Sequence, residues 1–473
     1  MKILLTGITG YIGKRLLPLL LEDGHEVYGC LRDASRFDMT PYKDKKLYLI
    51  ESDFLDPTSL DQIPQGLDAA YYLIHSMSSS LHNFDELELM SARHFRDRMD
   101  QVQVKQVIYL SGIINEAQLS RHLASRKAVE ETLSAGSYAL TTLRAGIILG
   151  SGSASFEIMR DLVEKLPVMI APKWLNTRSQ PIAIRNVLQY LQGVLLDERV
   201  YNKDFDIGGP EVLTYKEMLL KFARIRKLRR TIWVVPVMTP KLSSYWLYFI
   251  TSTSYKLAVN LVDSMKIEII CRDKRIQDII DIELVPFDDA VRLAFNIIEQ
   301  EGVISSWTDA LSSKALLGGI SDLIRVPTHG CFIDHRTRTI QNRDNLIRKL
   351  WSIGGNNGWY YANGLWEVRG FLDKLAGGVG LRRGRKNPHE LHAGDTLDFW
   401  RVLYANKEEG RLLLYAEMKL PGEAWLEFRL QGETLSLTAT FRPSGLRGRI
   451  YWYAVLPFHN IIFNGLLKSL MQQ

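Results

Sequence analysis

The stretch Thr6-Gly7-Ile8-Thr9-Gly10-Tyr11-Ile12-Gly13 constrains this chain more than any other. It follows the β-rich run Lys2–Thr6 and opens the helix-like segment Tyr11–Glu22. Gly7 permits a tight turn. Gly10 lets a ligand approach the main chain where a Cβ would stand, and Gly13 lets the helix lie close to the strand. Uncovered N–H groups at the positive end of a helix dipole are suited to a pyrophosphate.

The alternation continues through the first 150 residues. Strand-like runs fall at Glu26–Leu31, Leu47–Glu51, Ala70–His75, Gln106–Leu110 and Ala139–Leu143, and helix-like segments at Asp85–Asp100 and Ser120–Leu133. This pattern predicts an α/β fold, a doubly wound parallel sheet with helices on both faces. Between 150 and 300, Phe156–Lys165, Val187–Leu196 and Tyr215–Ile225 read as helices, and Pro236, Pro240 and Pro286 break the rest. A small helical substrate lobe is expected there, completing a domain over 1–300.

Residues 301–325, with Ser305-Ser306 and Gly318-Gly319, read as a linker, and 326–473 as a second domain. Its runs Leu397–Ala405, Leu412–Leu420, Ala424–Leu430 and Leu435–Phe441 are separated by turn residues at 407–410, 421–422 and 431–433. They predict an antiparallel sheet, closed by an amphipathic helix over Phe458–Met471: an α+β module. Trp351, Trp359, Trp366, Trp400, Trp425 and Trp452 either line an apolar pocket or form ordinary core.

Charge excludes some partners. The chain has 59 basic and 53 acidic side chains, and the surplus of six lies wholly in 301–473. No long basic stripe marks a nucleic-acid protein. The clusters Arg224 to Arg230 and Arg382 to Lys386 read as solvated faces. Three scattered cysteines make no disulfide framework and fit a reducing, cytoplasmic setting. His389, His392, Asp395 and Asp398 have a tempting spacing, but Pro388 and Gly394 break any helix through them, so no metal is expected. The apolar region Thr231 to Val262 has a longest uncharged stretch of 14 residues. A span needs about 20. A peripheral membrane contact there stays open, because Trp246, Tyr248 and Phe249 cluster in it.

The glycine spacing, with Thr first, resembles the short-chain dehydrogenase/reductase superfamily, in its extended and atypical, nucleoside-diphosphate-sugar epimerase-like branches. The resemblance runs through 1–300 and implies a Rossmann fold with NAD(P). Gly7, Thr9, Gly10, Tyr11, Ile12 and Gly13 would then hold the pyrophosphate. Arg32, ending the second strand, suits the 2′-phosphate of NADP, and Asp33 beside it keeps NAD open. Asp53 is implied at the adenine amine, with Phe54 near that ring. Leu73, Ile74 and His75 are implied along the nicotinamide-side ribose, and Ala145, in Leu143-Arg144-Ala145-Gly146, beside the nicotinamide.

The superfamily's reductases use a Ser and a Tyr-x-x-x-Lys pair. Ser111 matches the Ser. Aligned on Ser125 and Glu130, the pair has become His122-Leu-Ala-Ser-Arg126. Histidine titrates near neutrality and serves as general acid or base without a partner to lower its pKa. Arg126 donates to ribose hydroxyls or phosphate. Gln180-Pro181-Ile182 and Phe205 to Pro210 resemble substrate-lobe landmarks of epimerase-like members. Residues Ile353 to Trp359, Gly394 to Arg401, Glu417 to Leu426 and Tyr451 to Tyr453 resemble an uncharacterised domain fused behind atypical members, similar to the helix-grip (START-like) fold. Two functions follow. One is an NADP-dependent oxidoreductase or epimerase-like enzyme with a hydrophobic pocket in the C-terminal domain. The other is a non-catalytic NADP(H) sensor or scaffold for a lipid, quinone or protein partner.

Overall fold

The computed structural model describes residues 1–34, 37, 39–74, 84–114, 121–235, 259, 262–263, 265–299, 326, 331–340, 342–381, 385 and 387–472. The described residues up to Glu299 form one compact unit and those from Val326 a second. The expected linker lies outside the described residues, as does the aromatic cluster at 246–249.

The first unit is built on a parallel sheet of seven strands: β1 (Lys2–Leu5), β2 (Glu26–Leu31), β3 (Leu47–Glu51), β4 (Ala69–Tyr72), β5 (Gln106–Gly112), β6 (Ala139–Ala145) and, later in the chain, β11 (Lys203–Ile207). Their spatial order is β11-β6-β5-β4-β1-β2-β3. The chain starts in the middle, winds outward to β3, then crosses β1 to build the other half. The strands read as nearly continuous apolar runs because helices cover both faces. On one face α1 (Gly13–Glu22) and α5 (Ile184–Gly193) bury Leu16, Leu17, Leu20, Val187 and Leu191 against Ile3, Leu5 and Ile108. On the other, α2 (Phe84–Gln101) and α3 (Arg121–Ser134) bury Phe95, Met99, Val129 and Leu133 against Leu4, Ala70, Tyr72 and Val107.

The lobe differs from its expectation. Besides α4 (Ala154–Lys165), α6 (Tyr215–Ile225), α7 (Arg275–Ile279) and α8 (Phe287–Glu299), it holds three two-stranded pairs. These are β7 (Ile148–Leu149) with β10 (Ile182–Ala183), β9 (Arg178–Ser179) with β12 (Leu213–Thr214), and β8 (Val168–Pro172) with β13 (Thr231–Val235). Strand β11, from the same stretch, extends the main sheet instead. These strands are two to five residues long, too short for a period-2 signal to register. The capping box of Thr214 and Glu217 starts α6.

The second unit is a six-stranded antiparallel sheet in the order β14-β19-β18-β17-β16-β15. Its strands are β14 (Phe332–Thr339), β15 (Thr396–Leu397), β16 (Trp400–Asn406), β17 (Arg411–Ala416), β18 (Gly422–Gln431) and β19 (Thr434–Pro443). Strand β14 escaped the sequence reading because its outer residues are charged, as suits an edge strand. Two helices, α9 (Arg343–Trp351) and α10 (Asn363–Leu375), precede the meander, and α11 (Gly445–Met471) follows it. Helix α11 begins 13 residues before the expected Phe458. It runs through Pro457, because Trp452 packs on Phe441 and Phe332 on one side of the proline and Phe463 is buried on the other. Tertiary packing overrides the local breaker.

The six tryptophans of this unit are buried. Trp359 stacks on Trp366 with centroids 4.6 Å apart and donates its indole N–H to Asp398 at 2.8 Å. They are core side chains. Arg385 departs from the solvated-face reading of its cluster: it donates to the carbonyls of Trp351, Ile353, Asn387 and Glu390, and burial brings its pKa down to about 10. His392 and Asp395 form a local turn, the His392 N–H donating to the Asp395 carboxylate at 2.8 Å.

Arg401 and Glu417 face each other across β16 and β17 at 2.9 Å with their side chains fully out of water. Removing one partner strands the other charge, so Glu417→Ala is expected to cost about 3–5 kcal/mol. Urea unfolding followed by tryptophan fluorescence reads it. His459 lies against Trp452 and Phe463, and burial lowers its pKa to about 4, only partly opposed by Asp334. The unfolded chain takes up that proton first, at its ordinary value of about 6.5. This contribution is therefore complete above about pH 6.5 and lost as pH falls toward about 4, roughly 3 kcal/mol in all. His459→Asn should flatten the dependence of the unfolding midpoint on pH over that window.

Candidate functional site

The site is the carboxyl end of the parallel sheet beside the turn from β1 to α1. Thr6 ends β1 and ties it to β4: its hydroxyl donates to the Tyr71 carbonyl at 2.9 Å and accepts from the Leu73 N–H at 3.0 Å. Gly7 has φ +66°, and a Cβ there would stand 2.9 Å from the Leu73 carbonyl oxygen. The Gly10 N–H donates to the Gly7 carbonyl at 2.8 Å, closing the turn, and Lys14 N–H returns to Gly10 at 3.1 Å. A Cβ on Gly13 would collide with the Gly7 carbonyl. Thr9 is exposed at the tip, and Ile12 half-buried at the helix start.

Tyr11 turns inward. Its hydroxyl is buried, which raises its pKa to about 12 against the opposing effect of Arg15 and a hydrogen bond with Ser153. The Arg15 guanidinium lies 4.1 Å from the Tyr11 ring centroid and donates to the Ser151 carbonyl at 2.8 Å. This pins the start of α1 to the segment after β7. Arg32 is exposed directly after β2, with Asp33 half-buried beside it. Asp53 accepts from the Leu55 N–H at 3.1 Å, an Asx turn after β3. Phe54 points away from the cleft into the core against Phe95, with centroids 6.0 Å apart, so only its backbone faces outward. Ile74 is half-buried after β4, and His75 lies outside the described residues.

Ser111 and Ala145 sit on neighbouring strand ends, with Gly112 paired to Ala145 in register. Ser111 is buried. Its Oγ is close to the Tyr109 hydroxyl without a hydrogen bond of ordinary geometry. Burial pushes the Tyr109 pKa up, opposed by the Arg126 guanidinium. Arg126 crosses from α3 to β5 and donates to the Leu110 carbonyl at 3.3 Å, while its Nε–H is buried with no acceptor among the described residues. His122 falls in the first turn of α3, and its side chain lies outside the described residues.

Three features were missed from sequence. Tyr109 joins Ser111 because residues two apart on a strand share a face, a signal already present in Tyr109-Leu-Ser111. Arg144 is held by Glu130 at 2.5 Å and Asp204 at 2.6 Å, which makes it a strut between α3, β6 and β11. Gln180 bridges the Gly209 carbonyl and the Cys271 N–H at 2.7 and 3.0 Å, locking the lobe to the sheet end.

Comparison with known proteins agrees with this geometry. The family described as NAD(P)H-binding matches residues 7–153, and the protein family of unknown function DUF2867 matches 329–466. An isoflavone reductase homolog of Lupinus albus is 23% identical over 238 residues, 47% of this chain and 75% of that protein. A ceramide reductase of Caulobacter vibrioides is 23% identical over 167 residues, 35% of this chain and about half (52%) of that protein. A nucleoside-diphosphate-sugar epimerase from Staphylococcus aureus superposes with TM-score 0.51 at 12% identity, over 62% of this chain and all of its own. The triphenylmethane reductase of Citrobacter sp. gives 0.51 at 16%, over 63% of this chain and all of its own. At such identities the solved structures show the fold. The first unit is an NAD(P)-binding Rossmann domain. Its fold is the one those epimerase and reductase structures have.

The residues present fit a dinucleotide on two counts: glycines that let α1 start tight against the turn after β1, and a buried guanidinium N–H with no acceptor among the described residues. Gly13→Ala should push α1 away from the turn and weaken NADPH binding by tenfold or more, read by calorimetry.

Proposed function

We propose that the chain is an NADP(H)-dependent reductase acting on a carbonyl in a bulky, largely apolar molecule. The observation that carries this is the approach of Gly13 to the Gly7 carbonyl, which leaves the amides at the start of α1 facing the cleft. The two curated relatives support reduction over epimerisation, since both bear reductase names. An isoflavone and a ceramide are also both largely apolar. Val168, Ile170 and Trp233, exposed on β8 and β13 of the lobe, are apolar surface available for such a substrate.

In this reading Gly7, Thr9, Gly10, Tyr11, Ile12 and Gly13 hold the pyrophosphate, Tyr11 through its backbone. Arg32 meets the 2′-phosphate. Asp53 and the Phe54 backbone border the adenine. Leu73, Ile74, His75 and Ala145 border the nicotinamide end, and the buried Nε–H of Arg126 finds its acceptor in a ribose hydroxyl. The bound cofactor supplies a hydride to the carbonyl carbon. Ser111 donates a hydrogen bond to the carbonyl oxygen, polarising it. His122, one turn before Arg126 on α3, delivers the proton that oxygen needs, and recovers it from solvent. Ser111 is pre-positioned by β5, whose register with β6 fixes the sheet end.

The hydrophobic pocket expected in the C-terminal unit receives no support from its tryptophans, which are buried. The helix-grip comparison for that unit rests on its sheet followed by a long helix, and the location we infer for the protein is cytoplasmic.

The test is NADPH oxidation by the purified chain against long-chain ketones, aromatic ketones, quinones and nucleotide sugars. Turnover on an apolar carbonyl that drops about 100-fold or more in His122→Ala, with NADPH affinity kept, supports the assignment. Tight NADPH binding with no turnover on any of them favours the sensor or scaffold reading. Arg32→Ala should weaken NADPH by about tenfold or more and leave NADH within about twofold, since only the former carries the 2′-phosphate.

A further inference from the structure

Helix α10 is inverted. Its charged Asp373 is buried, accepting from the N–H groups of Gly380 at 2.8 Å and Lys419 at 2.7 Å. Meanwhile Val368, Phe371, Leu372 and Leu375 are each more than half exposed. A helix at a water boundary places these residues the other way round.

Helix α11 repeats the anomaly over its first half. Leu446, Ile450, Tyr453, Phe458 and Ile461 are each more than half exposed, while Trp452, Phe463 and Leu466 face inward. The two helices meet at two points, one on α10 and one on the turn before it. The Arg369 guanidinium sits 5.7 Å from the Tyr451 ring centroid, and the Tyr361 ring lies against Gly465. Such a run of exposed large apolar residues exceeds what scattered surface residues account for.

Charge selects the occupant. From Thr434 to the end of the chain there is no Asp or Glu, while Arg447 and Arg449 stand at the start of α11. Arg447 and Arg449 are exposed beside Leu446 and Ile450. A second copy of this face would bring cations against cations, with only Glu367 exposed on α10 to offset them. Anionic lipid headgroups supply the missing complement, and acyl chains the apolar one. No helix among the described residues is long and apolar enough to cross a membrane.

We propose that the outward faces of α10 and α11 form a docking surface for an anionic lipid bilayer. The apolar side chains enter the headgroup–acyl boundary and Arg447 and Arg449 meet lipid phosphates. This rests on the second unit alone and stands whether or not the first reduces a carbonyl.

The experiment is flotation of the full chain with vesicles of phosphatidylcholine, with and without phosphatidylglycerol. Wild type should float with the mixed vesicles and much less with phosphatidylcholine alone. Val368→Glu with Ile450→Glu should abolish flotation, with the fluorescence of the second unit's buried tryptophans and its urea midpoint kept as evidence of folding. Arg447→Ala with Arg449→Ala, which removes no packed side chain, should weaken binding to the mixed vesicles by about tenfold or more. Wild type left at the bottom of the gradient with both compositions overturns the proposal. So does binding that neither pair alters, or a dimer that Val368→Glu splits in light scattering without any vesicle binding.

Discussion

The approach of α1 to the turn after β1 governs the first unit. Gly7 in the left-handed region and Gly13 against its carbonyl allow a helix start to lie where any other residue would hold it away. The result is an electropositive main-chain surface with few side-chain atoms in front of it. Neighbouring ties keep it there. Thr6 binds β1 to β4, and Arg15 binds α1 to Ser151, so the loop is fixed from the sheet and from the lobe. Preorganisation of this kind spares a ligand the cost of ordering its own site.

Around the sheet end, charge is divided between construction and chemistry. Arg144 and Gln180 spend all or most of their donors on protein, and their arrangement joins β6, β11, α3 and the lobe. Arg126 is different, because among the described residues nothing accepts from its buried Nε–H. A guanidinium that satisfied all its donors internally would be another strut.

The second unit follows other rules. Its interior is dense with aromatic rings and holds the buried Arg401–Glu417 pair, while two of its helices carry apolar residues outward. The inward Asp373 is not an error of patterning. It accepts main-chain N–H groups from the turn at Gly380 and from Lys419, fixing the end of α10 so that the opposite face points away from the core.

The glycine cradle, the alternation of strands and helices and the antiparallel meander were legible in the sequence, because each rests on residues within a few positions of one another. So was Ser111 at a strand end. Other features were invisible there. Strands of two to five residues gave no period, β11 declared its place only by pairing with β6, and Pro457 signalled a break that packing of Trp452 and Phe463 overruled. Phe54 read as a ligand neighbour until α2 brought Phe95 against it. Arg385 read as solvated until the distant carbonyls of Trp351 and Ile353 converged on it with the nearby ones of Asn387 and Glu390. Local rules decide which backbone shapes a segment prefers; which face of it is covered, and by what, depends on residues far along the chain and is settled only when they meet.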